Sequence, residues 1–232
     1  MCSEKNTNGL FEVHIAGPKT DAEVARRIFE DLREAGLPKS KFFLNVYNIL
    51  GDEMYEHVMC TPPTGHDLDE PGWMTTVKTP DFEEAKKKVL AGMDLLKQHG
   101  LRGNFEVERV ITEGVPDFPI DIEKEFPGYR RVQDSPLYEN HIIWKDLETK
   151  LPSNNEIVEE FQRSFGITPH QIVDFSRALS GQSLVSRVAT IYQPSRETAL
   201  EWGLRLTSDK QLTGHRYIVT EQVCLVGELK TD

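Results

Sequence analysis

Two pentapeptides set the terms for this chain. Phe11-Glu-Val-His-Ile15 and Tyr138-Glu-Asn-His-Ile142 share one alternation, with a glutamate and a histidine on one side of a strand and mostly apolar groups on the other. Each opens a similar series of elements. In the first half Gly17-Pro18 breaks the strand, and Thr20-x-x-Glu23 reads as a capping box. Val24, Ile28, Phe29 and Leu32 then recur at helical spacing until Gly36. The run 42–47 is rich in aromatic and branched residues and reads as a strand, and a third strand is expected at 74–78. Thr79-Pro80 predicts a cap and a first helical residue, followed by a helix that buries Phe82, Ala85, Val89, Met93 and Leu96. The run 105–111 is the fourth strand.

The second half repeats this order. The run 138–144 is a strand, Ser153-x-x-Glu156 a capping box, and Ile157, Phe161 and Phe165 the face of a helix stopped by Gly166. Strands follow at 172–175 and 184–192. Pro194 and Ala199 match Pro80 and Ala85, and a last strand covers 217–225. The expected organisation is a first unit over 1–115 with an extended 48–72 loop, a proline-rich linker over 116–136 and a second unit over 137–232.

A β-α-β-β-α-β order is that of a ferredoxin-like sandwich. The chain is therefore expected to be α+β, a tandem duplication of that unit, with antiparallel sheets and helices on one face. The opposite face of each sheet needs solvent or a partner. A second copy in the same chain provides one, by facing the first or by joining its sheet edges, and a homodimer is the other arrangement.

If the helices cover Phe11, Val13 and Ile15, then Glu12 and His14 face the open side, and Glu139 and His141 do the same in the second unit. In the fourth strand Glu106 and Glu108 share a parity opposite to Phe105 and Val107, and Glu221 stands near the place of Glu108. Each unit can thus gather one histidine and two carboxylates: Glu12, His14 and Glu108, then Glu139, His141 and Glu221. Crowded carboxylates repel, and a histidine or a divalent cation among them relieves that cost. The candidate catalytic or metal-ligating residues are His14, Glu108, His141 and Glu221, with zinc, iron or manganese as the fitting divalent metals. Without metal the same groups suit acid/base work. The plain alternative is a solvated strand face with ordinary ion pairs.

Glu12, Glu139, Arg187 and Arg216 are candidate ligand-binding residues. Arg187 interrupts an apolar strand and needs either an acidic partner, with Glu139 or Glu221 in view, or a small anionic ligand. The 48–72 loop gathers His57, Cys60 and His66 among carboxylates without a metal-binding spacing, and its length suits a lid.

Charge and composition narrow the function classes. The formal net charge is -11 and no basic stretch tracks a phosphate backbone, so nucleic acid is not an expected partner. No apolar run approaches the roughly 18 residues that span a bilayer. Three scattered cysteines and no apolar leader suggest a reducing, cytoplasmic setting. The glycine-rich phosphate loops, HExxH, GxSxG and CxxC are missing. Three readings stand: an enzyme with a His/Glu site on the open sheet face, a receptor for a small anion, and a non-catalytic protein whose open faces are packed together.

Overall fold

The computed structural model describes residues 10–18, 20–49, 72–115, 121–131, 137–145, 151–177, 185–208 and 216–229. The first unit runs β1 (Phe11–Gly17), α1 (Ala22–Glu34), β2 (Lys39–Asn48), β3 (Trp73–Thr79), α2 (Phe82–Gln98) and β4 (Asn104–Val110). A short helix α3 (Ile122–Glu125) and strand β5 (Tyr129–Arg131) follow. The second unit runs β6 (Leu137–Lys145), α4 (Asn154–Phe165), β7 (Gln171–Arg177), β8 (Val185–Gln193), α5 (Arg196–Ser208) and β9 (Arg216–Leu229). The β-α-β-β-α-β order thus occurs twice, as expected of a duplicated ferredoxin-like α+β chain.

Local chemistry explains where the helices start. Ser153 and Glu156 form the anticipated reciprocal capping box at α4, and Gly166 ends that helix at φ 69, a conformation that suits glycine. Two caps shift by a residue or two. Asp21, rather than Thr20, accepts from the Glu23 backbone N–H at α1. Asp81 caps α2, while Thr79 accepts from the Asp81 backbone N–H and donates to Glu84. Where a threonine and an aspartate lie so close together, the carboxylate is the stronger acceptor for the exposed N–H groups.

Within the first unit the strand order is β4-β1-β3-β2, and within the second it is β7-β8-β6-β9. The units join at both sides, through antiparallel β2–β7 and antiparallel β4–β9 pairs. Like joins like, since second strand meets second strand and fourth meets fourth. The order therefore closes on itself through eight strands, β4-β1-β3-β2-β7-β8-β6-β9, and forms a barrel. Strand β5 lengthens the wall by pairing with β9 beyond the end of β6.

Closure turns each sheet's open face into the barrel interior. On the outer face Phe11, Val13, Ile15, Phe105 and Val107 pack against Ile28, Phe29, Leu32, Val89 and Leu96 of α1 and α2. The described part of the linker region forms α3 and β5, and Ile122, Phe126 and Tyr129 join this same core. A second outer core gathers Ile142, Trp144, Ile157, Phe161, Ile172, Ile191 and Leu206. Inside the barrel Ala16, Met74, Val173, Phe175 and Val188, with Ile143 against them, fill one end. The polar groups of the inner face occupy the other. The 50–71 part of the long loop, with His57, Cys60 and His66, lies outside the described residues.

One contact on the outer face differs between the units. Gly17 pairs with Trp73, and the equivalent pair in the second unit is Trp144 with Arg187. Each unit places one indole there, from opposite strands. A Cβ at Gly17 would run into the Trp73 ring, which also packs edge-on to Phe29. Overpacking of this kind costs about 1–3 kcal/mol. Gly17→Ala is therefore expected to lower unfolding stability by that amount in urea titration, and an unchanged midpoint would show that the Trp73 ring has room to move.

Candidate metal centre

Alternation fixes which side chains line the barrel. The helix-facing positions of β1, β4 and β6 are apolar, so Glu12 and His14, Glu106 and Glu108, and Glu139 and His141 point inward. Strand register then sets their heights. Glu12 lies opposite Glu108 and His14 opposite Glu106 across β1 and β4, while Glu139 lies opposite Glu221 across β6 and β9.

The side chains meet at the polar end of the barrel. His14 Nε2 lies 3.0 Å from Glu108 Oε2 and 3.9 Å from Glu12 Oε1. Glu12 also forms an ion pair with Lys78, its partner across β3. In the second unit His141 Nε2 lies 2.8 Å from Glu139 Oε1, and His141 Nδ1 lies 3.0 Å from Thr190 Oγ1. The two units also meet each other. Ligand atoms of Glu12, His14 and Glu108 lie within 4.8 Å of one another, and so do those of Glu108, Glu139 and His141. Glu108 belongs to both groups. Either could coordinate a divalent metal.

Burial makes this arrangement costly without a ligand. Glu139 is fully buried and Glu108 is 2% exposed. Glu139 Oε2 and His14 Nδ1 are buried without a hydrogen-bond partner among the described residues. A buried polar atom left unpaired costs about 1–3 kcal/mol, and more when it is charged. Burial pushes the Glu139 carboxyl up, and the nearby Glu108 carboxylate adds to that push, while His141 only partly offsets it. Burial opposes charge on His141, yet Glu139, followed by Glu108 and Glu12, holds the imidazole above its ordinary value. Burial also acts to raise Glu12, but His14 and Lys78 outweigh it and hold that carboxyl below its ordinary value. Glu12 and Glu139 are therefore driven apart, one toward ionisation and one toward keeping its proton. A cation can replace the protons that the cluster otherwise needs.

The donor set fits a metal. Imidazole nitrogens with carboxylate oxygens are ligands of zinc, iron and manganese. Thr190 at Nδ1 orients the ring, so that a metal would take Nε2 in place of the proton between it and Glu139.

The expected site residues are not all brought together. His14, Glu108, His141, Glu12 and Glu139 converge. Glu221 and Arg216 stand on β9, in register with Glu139 and Trp144, and their side chains lie outside the described atoms. Arg187 faces the other way, on the helix-covered side of the sheet. Its Nε and Nη2 donate to Asp174 at 2.6 and 2.8 Å, and its Nη1 donates to the Pro152 carbonyl. Its acidic partner is thus Asp174, not Glu139 or Glu221. Lys78, Thr190 and the buried Glu106 also belong to the inner face near the histidines. Their parity is readable along each strand, but their neighbours emerge only from the pairing of strands.

No protein-family model and no curated protein sequence matches this chain. Among solved structures it is similar to an anthrone oxidase-like protein at 11% identity, with 95% of this chain and 93% of that chain covered and a TM-score of 0.26. It is also similar to a mutant chlorite dismutase from Candidatus Nitrospira defluvii in complex with cyanide, at 13% identity, 95% and 91% coverage and a TM-score of 0.25. Likenesses this distant carry no argument about the chemistry here. None of the described helices is long and apolar enough to cross a membrane.

The protonation pattern has a measurable consequence. Glu139 and His141 both bind protons more tightly in the folded chain than in the unfolded one. Their contribution is fully present below the ordinary values of 4.5 for Glu139 and 6.5 for His141, and is lost as pH rises through the folded values. In chelator-treated protein the urea midpoint is expected to fall as pH rises above about 6.5, and Glu139→Gln to flatten that fall. A midpoint that climbs over the same range contradicts the assignment.

Proposed function

We propose that the polar end of the barrel is a divalent-metal centre serving a small-molecule site, with His14, Glu108 and His141 as central ligands and Glu12 and Glu139 completing the set. The observation that carries this reading is the position of Glu108, within ligand distance of the Glu-x-His pair of each unit. Glu221 joins as a further candidate by its register opposite Glu139.

Each group of three supplies fewer ligands than a zinc, iron or manganese ion takes, so water or a ligand oxygen completes the coordination. A small anion suits that place better than a neutral molecule, because the metal is the cation that the surrounding carboxylates leave available. Arg187 has no part in this, being committed to Asp174 on the other face. Approach is from the Lys78 side, since side-chain exposure falls from 35% at Lys78 to 12% at Glu12 and 0% at Glu139. Nucleic acid is disfavoured by the net charge of -11, and the scattered cysteines suit a reducing compartment such as the cytoplasm. All the proposed ligands come from one chain.

Packing of the two inner faces as pure scaffold is the weaker reading. A barrel end needed only for stability is better filled by apolar groups, as the opposite end is, than by several buried carboxylates.

The test is metal affinity in chelator-treated protein titrated with Zn²⁺ or Mn²⁺. Binding is expected to raise thermal stability, by about 2.7 kcal/mol at a metal concentration of 100 times Kd. Loss of the hydroxyl in Thr190→Val is expected to weaken affinity by roughly 10–100-fold through His141 orientation. His141→Ala and His14→Ala should weaken it further. Wild-type protein that binds neither metal, by calorimetry and by elemental analysis, overturns the proposal.

A further inference from the structure

We infer that this centre holds two divalent ions, one beside each Glu-x-His pair, with the Glu108 carboxylate between them, and that a small oxyanion spans the pair. The inference rests on the reading of the barrel's polar end as a metal centre. Its first support is geometric. Glu12, His14 and Glu108 form one compact group, Glu108, Glu139 and His141 form another, and among the described residues no such group contains both histidines. A single ion would have to choose one histidine or draw the strands together. Two ions leave both groups where they stand. A carboxylate has two oxygens, and ions bridged in this way sit about 3.5–4 Å apart.

The second support is charge. Near the histidines the buried inner-face groups include Glu12, Glu106, Glu108 and Glu139, with Lys78 as the cation paired to Glu12. Several carboxylates gathered at one buried place favour bound cations. The third is an unused lone pair. Among the described residues Glu139 Oε2 is buried without a donor, while Oε1 already meets His141, so the second group retains a coordinating atom after its internal hydrogen bond is made. Duplication explains why there are two half-sites, and the β4–β9 pairing explains why Glu108 can reach both.

Adjacent ions with open positions match the spacing of two oxygens on one carboxylate or phosphate group, which defines the ligand class. Inorganic phosphate is a suitable probe.

The experiment is equilibrium dialysis of chelator-treated wild-type protein against Mn²⁺, with metal counted by elemental analysis and the loaded protein examined by electron paramagnetic resonance. Two Mn²⁺ per chain with an exchange-coupled spectrum are expected, together with phosphate binding that disappears on chelation. His14→Ala and His141→Ala should each keep one ion and show an isolated Mn²⁺ spectrum. Saturation at one ion per chain, or two ions without exchange coupling, overturns the inference and leaves the metal centre standing. No bound Mn²⁺ and no bound Zn²⁺ overturns both. The wild-type stoichiometry decides the matter even where a variant fails to fold, which far-UV circular dichroism of each variant reports.

Discussion

The two antiparallel joins, β2 with β7 and β4 with β9, are the constraint on which the rest depends. A lone β-α-β-β-α-β unit leaves one sheet face uncovered and two strand edges unpaired. Joining two units at both edges satisfies the backbone groups of all four edge strands and encloses both open faces. The contents of those faces are then forced together. Residues that would be ordinary surface groups on a single sheet become neighbours inside a barrel.

That enclosure explains the division of the interior. One end is filled by Ala16, Met74, Val173, Phe175 and Val188, which close the barrel by packing. At the other end Glu-x-His from β1 meets Glu-x-His from β6, with Glu108 in reach of both. Burying carboxylates is expensive unless each is paired with a proton donor or a cation. The raised Glu139 and His141 and the lowered Glu12 are the protein's partial answer to that cost. Among the described residues Glu139 Oε2 still lacks a donor. The two half-sites are also unequal. Among the described residues His141 is held at both ring nitrogens, whereas His14 is held at Nε2.

Much of this was legible because it is local. Ser153 and Glu156 lie three residues apart and form the capping box that their spacing predicts. Period-two alternation placed Glu12 with His14 and Glu139 with His141 on the face away from the helices. Where local rules offered two near-equal answers, as with Thr20 beside Asp21 or Thr79 near Asp81, the aspartate won. What depends on pairing between distant strands was not legible. Alternation gave two symmetric triads but could not say that Glu108 would be shared. It left Arg187 in search of an acid that turned out to be Asp174, its neighbour across β7 and β8. Thr190 beside His141 was likewise hidden, because the register of β6 with β8 is a property of the closed barrel.

Convergence of the two duplicated pairs on one centre is the central claim, and anomalous diffraction from crystals soaked in Zn²⁺ and measured at the zinc edge tests it most directly. Closure predicts anomalous density inside the barrel beside Glu108, at about 2.0–2.2 Å from histidine nitrogen and carboxylate oxygen. Density confined to the protein surface, or a barrel interior that stays empty at saturating Zn²⁺, would contradict it.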